Sequence, residues 1–283
     1  MDPRPIGIFD SGLGGLTAAR ALEALLPGED LIYFGDSANA PYGTRSLEEL
    51  ERLATANASF LAGFGVKTVL VACGTVSSTV IGQVAERFPF PLMGVVEAPC
   101  RAAASAARGG RIAVAATEAS IRGGAYVRTL RSIDPALELF PKACQSLVSV
   151  VEAGHFRPGD PVAEAAVAAE LGPVRDFAPD VLLLGCTHFP LLREIIAAYL
   201  GGGVTLIDVC RETALSMKNA LTAADALSER ERGERQWFTS GDPELFSRYA
   251  EFFLGRPVRA RQHVNEVLSL TRMKPEKHIA SVQ

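Results

Sequence analysis

Val69-Leu-Val-Ala-Cys-Gly-Thr75 and Val181-Leu-Leu-Leu-Gly-Cys-Thr-His188 end alike, each an apolar run that stops at a cysteine with a threonine close behind. Short continuous apolar runs of this kind suit strands buried on both faces of a parallel sheet. In such sheets ligands bind in the crevice beyond the carboxyl ends of the strands. Cys73 and Cys186 are therefore expected at strand tips facing a cleft. A cleft with one thiol on each side can take a proton from one face of a carbon and return one to the other.

Working outward from these two runs, strands and helices alternate throughout. Ile6–Phe9 reads as a buried strand, followed by a glycine-rich turn and the helical pattern Leu16–Leu26; Leu31–Phe34 is the next strand. Ser46, with Glu49 three residues on, forms a capping box for a helix running to Phe64. Then come the strand Val69–Ala72, a helix over Ser77–Phe88 and a strand over Pro91–Val96. A second round follows: helix Pro99–Ala107, strand Arg111–Ala116, helix Gly123–Ser132, the apolar stretch Leu137–Phe140, helix Pro161–Leu171, strand Val181–Leu184, helix Pro190–Tyr199 and strand Val204–Val209. Helices over Glu212–Leu227 and Asp242–Leu254 flank a short strand at Gln236–Thr239, and Pro257–Val264 is expected as an edge strand. This rhythm predicts an α/β fold of two similar doubly wound parallel-sheet lobes with the active site in the cleft between them. The first lobe is expected to comprise residues 1–97 and about 210–268, the second residues 98–209, and the polar tail 269–283 is expected to fray.

Composition narrows the function. The 283 residues carry 28 Lys and Arg against 32 Asp and Glu, a net charge of −4, and no long basic cluster, which disfavours nucleic acid as a partner. No apolar run reaches a membrane span and the N-terminus lacks a signal-peptide layout, so the cytoplasm is the expected location, with no membrane partner. A homodimer remains open. The five cysteines, at 73, 100, 144, 186 and 210, are odd in number and widely spaced, which disfavours a disulfide framework or a structural zinc site. Cys100, Cys144 and Cys210 read as buried structural residues.

Polar residues gather at the expected strand tips. Asp10-Ser-Gly-Leu-Gly-Gly15 follows the first strand, and its glycines and helix start offer backbone N–H groups to an anion; Asp10 reads equally as a cap on the following helix. Gly35–Gly43, with Pro41, Tyr42 and Gly43, follows the second strand. Thr75 and Thr187 stand beside the two cysteines, and a helix start beyond each cysteine would favour its thiolate, the reactive form. His188 is two residues from Cys186, where it could exchange a proton with the thiol or orient a carboxylate. Thr117 and Ser120 follow the strand Arg111–Ala116, Ser120 reading equally as a helix cap; Glu152, alone after Leu147–Val151, says little by itself.

Together, Phe9–Thr17, Phe34–Asp36, Ala40–Ser46, Ala72-Cys73, Gly185-Cys-Thr-His-Phe-Pro190 and Thr239–Pro243 resemble the glutamate racemase family, cofactor-independent enzymes of the aspartate/glutamate racemase superfamily. The resemblance runs through most of the chain and implies racemisation of L- and D-glutamate, supplying D-glutamate for peptidoglycan. It implies that Cys73 and Cys186 are the catalytic acid/bases, with Asp10, His188 and Glu152 assisting. It also implies that Ser11, Pro41, Tyr42, Gly43, Thr75, Thr117 and Thr187, with Asp10, Gly74 and Ser120, surround the substrate. Two positions depart from the family's pattern: Gly74 stands where asparagine is common, removing a side-chain amide, and Ser120 where threonine is usual. The chemistry fits without the name. No lysine lies in a motif for a pyridoxal Schiff base and no metal-ligand cluster appears, so no cofactor is expected, and two opposed thiols suffice to move a weakly acidic α-proton. An aspartate or other small amino-acid racemase, or an amino-acid-binding protein, would share much of this pattern.

Overall fold

The structure is a computed structural model and describes residues 1–265. The expected frayed tail at 269–283 lies outside the described residues. Ten strands occur among them: β1 (Ile6–Asp10), β2 (Leu31–Gly35), β3 (Thr68–Val71), β4 (Leu92–Gly94), β5 (Arg111–Ala116), β6 (Glu138–Ala143), β7 (Val181–Leu184), β8 (Thr205–Asp208), β9 (Arg235–Thr239) and β10 (Ala260–Gln262). They form two all-parallel sheets, one in the order β10-β9-β2-β1-β3-β4 and the other β6-β5-β7-β8. The chain builds β1 to β4 of the first sheet, makes the whole second sheet, and then returns to add β9 and β10 beside β2. β10 is the edge strand that the sequence pattern suggests.

Helices connect the strands: α1 (Leu16–Leu25), α2 (Leu47–Ala62), α3 (Gly74–Thr79), α4 (Ile81–Ala85), α5 (Glu97–Ala106), α6 (Glu118–Gly123), α7 (Ala125–Ile133), α8 (Gln145–Glu152), α9 (Pro161–Phe177), α10 (Arg193–Leu200), α11 (Val209–Ala223) and α12 (Pro243–Leu254). β1, β2, β3 and β7 are buried at every position, as two-sided helix cover requires. The Ser46 capping box forms in both directions, its hydroxyl accepting from Glu49 N and its own N–H donating to the Glu49 carboxylate.

The expected helix over Ser77–Phe88 is instead two short pieces, and it begins three residues earlier. Cys73 itself occupies the N-cap of α3, while the Ser77 hydroxyl donates to Val71 O and accepts from Val95 N, tying β3 to the segment after β4. The Ser78 and Thr79 hydroxyls bond back to Thr75 O at 3.2 and 2.6 Å, a local competition with the helical ladder in a run of weak helix formers, and the helix breaks at Val80. The expected helix over Gly123–Ser132 is α7, starting two residues later, and a separate helix that the sequence pattern did not suggest, α6, precedes it and ends at Gly124, whose φ of 66° lies in the left-handed region.

A buried ion pair fastens the back of the first sheet. Lys67 Nζ lies 2.6 Å from Glu29 Oε2, both side chains 2% exposed, and also donates to Asp2 O and Ala226 O. Glu29 Oε1 accepts from Ser228 N. Four segments distant along the chain thus meet at one desolvated charge pair. Replacing Lys67 by Met leaves the carboxylate buried without its cation and should cost roughly 3–5 kcal/mol in denaturant unfolding, whereas Lys67→Met with Glu29→Met should recover most of that loss; equal losses in both variants would contradict this account.

Candidate active site

Parallel pairing brings the strand tips together. Phe9 pairs with Val71 and Asp10 with Gly35, so Asp10, Asp36 and Cys73 emerge along one edge. In the second sheet Ala115 pairs with Leu184, which sets Thr117 and Cys186 side by side beyond their strands. The two edges face each other across a cavity of about 350 Å³, within the range of small-ligand sites. Cys73 and Cys186 both line it, one from each sheet, together with Asp10, Ser11, Pro41, Tyr42, Gly43, Gly74, Thr75, Thr117, Glu152, Thr187 and His188. Ser120 is not among the lining residues; it sits behind Thr117, whose hydroxyl lies 3.0 Å from its own.

Two cap readings are corrected here. Thr117 caps α6, accepting from Ser120 N, so Ser120 is a first-turn residue and not the cap. Asp10 does not cap α1, whose N-cap is Gly15 with no side-chain bond; its carboxylate accepts from Gly12 N at 3.1 Å and shapes the glycine turn instead. Tyr33 Oη donates to Gly12 O at 2.8 Å and holds the same turn from below. The Tyr42 loop is held as firmly: Tyr42 Oη donates to Asp36 Oδ2 at 2.5 Å and accepts from Asn57 Nδ2 at 2.9 Å.

Residues outside the sequence reading also line the cavity. Gln145, Val148 and Ser149, with the already named Glu152, present one face of α8, at helical spacing. The signal was there at i, i+4 and i+7, but it is masked when Leu147–Val151 is read as a single apolar run.

The two walls differ electrostatically. Burial pushes the Cys73 thiol up to about 12, and the neighbouring Asp10 adds to the rise; N–H groups of Val76 and Thr75 and the Ser11 hydroxyl oppose it without prevailing. The expected help from a helix start is present at Cys73, but desolvation outweighs it. Burial also raises Asp10, against the pull of His188 and of the N–H groups of the glycine turn. On the other wall, burial acting alone would lower His188, but the Cys186 sulfur, 3.6 Å from Nδ1, and the Glu152 carboxylate, 3.2 Å from Nε2, carry it up to about 10. The Glu152 contact is a charge contact rather than an aligned hydrogen bond, since Nε2 has no well-directed acceptor. The site thus pairs a neutral thiol beside a carboxyl group with a sulfur beside an imidazolium.

A family model described as Asp/Glu/hydantoin racemase matches residues 16–217. The chain belongs to that family. Its relatives include a glutamate racemase of Corynebacterium diphtheriae, 40% identical over 259 residues, which span 91% of this chain and 97% of that protein. The crystal structure of a glutamate racemase isoform from Bacillus anthracis superposes with a TM-score of 0.87 at 32% identity, covering 93% of this chain and 98% of that one. A glutamate racemase from Francisella tularensis in complex with D-glutamate gives 0.85 at 31% identity, covering 95% and 100%. This racemase-family chain thus shares the two-lobed α/β fold of those enzymes. Among its described residues no group of three or more His, Cys, Asp or Glu could hold a metal ion, and no helix is long and apolar enough to cross a membrane.

Because Asp10 raises Cys73, removing its charge should make the thiolate accessible at lower pH. In Asp10→Asn, alkylation of Cys73 by iodoacetamide, followed by peptide mass spectrometry across pH 7–10, should be roughly several-fold faster at fixed pH than in wild type. A slower or unchanged rate at Cys73 would contradict the assigned cause.

Proposed function

We propose that this racemase interconverts L- and D-glutamate by direct proton transfer between two thiols. The observation that carries the reading is that Cys73 and Cys186 reach one cavity from two different sheets, each with its own polar partner. The thiolate on one wall removes the α-proton and becomes a thiol, leaving the electron pair delocalised into the substrate carboxylate. The opposing thiol delivers its proton to the other face and becomes the thiolate. Atoms and charge balance between the substrate and the two sulfurs. By resemblance to the family, Cys73 acts on D-glutamate and Cys186 on L-glutamate.

The remaining groups take supporting roles. A substrate ammonium entering between Asp10 and the sulfurs brings positive charge into a desolvated site, which favours the thiolate that burial disfavours. His188, held between Cys186 and Glu152, stores a proton at Nδ1 and can hand it to the sulfur. Backbone N–H and hydroxyl groups of Ser11, Thr75, Thr117 and Thr187, with the Pro41-Tyr42-Gly43 loop, are suited to the two carboxylates as fixed, preorganised donors. Glutamate, rather than another amino acid, is supported by the relatives' names and by the D-glutamate complex of the Francisella enzyme. In this role the protein supplies D-glutamate for peptidoglycan in the cytoplasm.

Purified protein should racemise both glutamate enantiomers, followed by circular dichroism, and should introduce solvent deuterium at the α-carbon. Cys73→Ala should lose activity in both directions, by roughly 10³-fold or more, while its unfolding transition stays near that of wild type. Near-normal turnover in that variant would sink the two-thiol mechanism. Faster turnover of aspartate than of glutamate would sink the substrate assignment, and binding without deuterium exchange would point to a binding protein.

A further inference from the structure

The Thr17 hydroxyl occupies an unusual crossing point. Thr17 lies in the first turn of α1, 8% exposed, yet its Oγ1 is 3.0 Å from Thr187 O and 3.2 Å from Cys210 Sγ. It therefore touches three chain segments at once: the turn after β1, the turn after β7 that carries Cys186 and His188, and the start of α11, where the chain leaves the second sheet for the first. Its third neighbour, Gly14 O at 2.8 Å, already accepts from Thr17 N at 3.1 Å. Thr187 O accepts no other hydrogen bond among the described residues. An unpaired buried carbonyl is costly, so the hydroxyl proton is best directed there.

Cys210 completes the arrangement. It is fully buried, and desolvation together with Asp208 raises it well above its ordinary value. Its backbone is fixed by the Asp208 cap, which accepts from Cys210 N at 2.8 Å. The Thr17 hydroxyl thus lies between the Cys210 sulfur and Thr187 O, within donating distance of both. Gly14 closes the same contact from the side. A Cβ there would stand 2.2 Å from Thr187 Oγ1 and 2.6 Å from His188 Cε1, so only a bare backbone lets the two turns meet.

We propose that Thr17 is a positioning residue for the Cys186 wall: its hydroxyl, supported by Cys210, anchors the Thr187 carbonyl and so fixes where Cys186 and His188 stand relative to Asp10. The inference rests on the reading of Cys186 and His188 as one wall of the racemase site. It gives Cys210 a use that position along the chain does not reveal. Thr17 itself touches no lining sulfur and exchanges no proton with substrate.

Thr17→Val keeps the shape and removes the hydroxyl, whereas Thr17→Ser keeps the hydroxyl. Because a small misplacement near the reacting atoms is expensive, Thr17→Val should lower kcat roughly ten- to hundredfold with KM changed by no more than about threefold, and Thr17→Ser should restore most of kcat. Differential alkylation should show the selectivity: the rate at Cys186 relative to Cys73 falls at least about threefold in Thr17→Val and not in Thr17→Ser. Equal losses in the two variants, or an unchanged labelling ratio in Thr17→Val, would overturn the assignment. If Thr17→Val does not fold, Cys210→Ala against Cys210→Ser makes the comparison from the other side of the hydroxyl. The alanine variant should lower the same ratio and the serine variant should not; no difference between them overturns the proposal. Wild type and Cys186→Ala run alongside separate the two readings. Absence of racemisation by wild type would refute the functional reading itself, while an active wild type with an undisturbed Thr17→Val refutes only the role of Thr17.

Discussion

The two sheets meet through backbone that carries no side chain. Gly14 of the first lobe lies where a Cβ would penetrate Thr187 and His188, and at Gly74 an added Cβ would come within 3.1 Å of Gly185 O. Both contacts join the turn after a strand in one sheet to the turn after a strand in the other. Everything chemical about the cleft depends on that closeness. Two thiols at the tips of separate sheets share one small cavity because the turns bearing them approach this closely, and a bulkier residue at Gly14 would wedge the walls apart, whereas at Gly74 a small shift of the Gly185 carbonyl makes room for one.

Closeness also creates the electrostatic problem that the site must solve. Asp10, Cys73 and His188 are all nearly or fully desolvated, and burial penalises the charged form of each. The two walls answer differently. Around Cys73 the supporting hydrogen bonds are too weak to offset burial and a neighbouring carboxyl group, so the thiol stays neutral. Around Cys186 the imidazole sits between the sulfur and Glu152, which keeps a proton within reach. For the proposed two-thiol reaction, in which one sulfur must be bare while the other is protonated, unequal walls are a useful starting state, and the substrate's own charges then enter the balance.

Much of this was legible without coordinates. The strands ending at Cys73 and Cys186 declare themselves through short apolar runs, the Ser46–Glu49 pair marks the start of α2, and β5 and β7 fall within the limits read from the sequence. The errors are local and share a cause. At Ser77–Thr79, at Thr117–Ser120 and at Asp10, a hydroxyl or carboxylate had several backbone groups within reach, and linear spacing does not say which it will choose. The cleft face of α8 escaped notice because its polar positions are interleaved with core residues, and only the packing of that helix tells which side looks inward.

By itself, then, the sequence determined the alternation of strands and helices, the parallel sheets that follow from it, and the placement of Cys73 and Cys186 at strand tips. These are consequences of periodicity and of the rule that parallel strands expose their carboxyl ends on one edge. Tertiary structure alone decided which tips face one another, that Glu152 rather than a nearer acid lies against His188, and that Thr17 and Cys210, remote along the chain, meet behind Thr187. The physical reason is the same throughout. Hydrogen bonds and desolvation act over a few ångströms in space, and the distance along the chain carries no record of them until the two sheets have closed on each other.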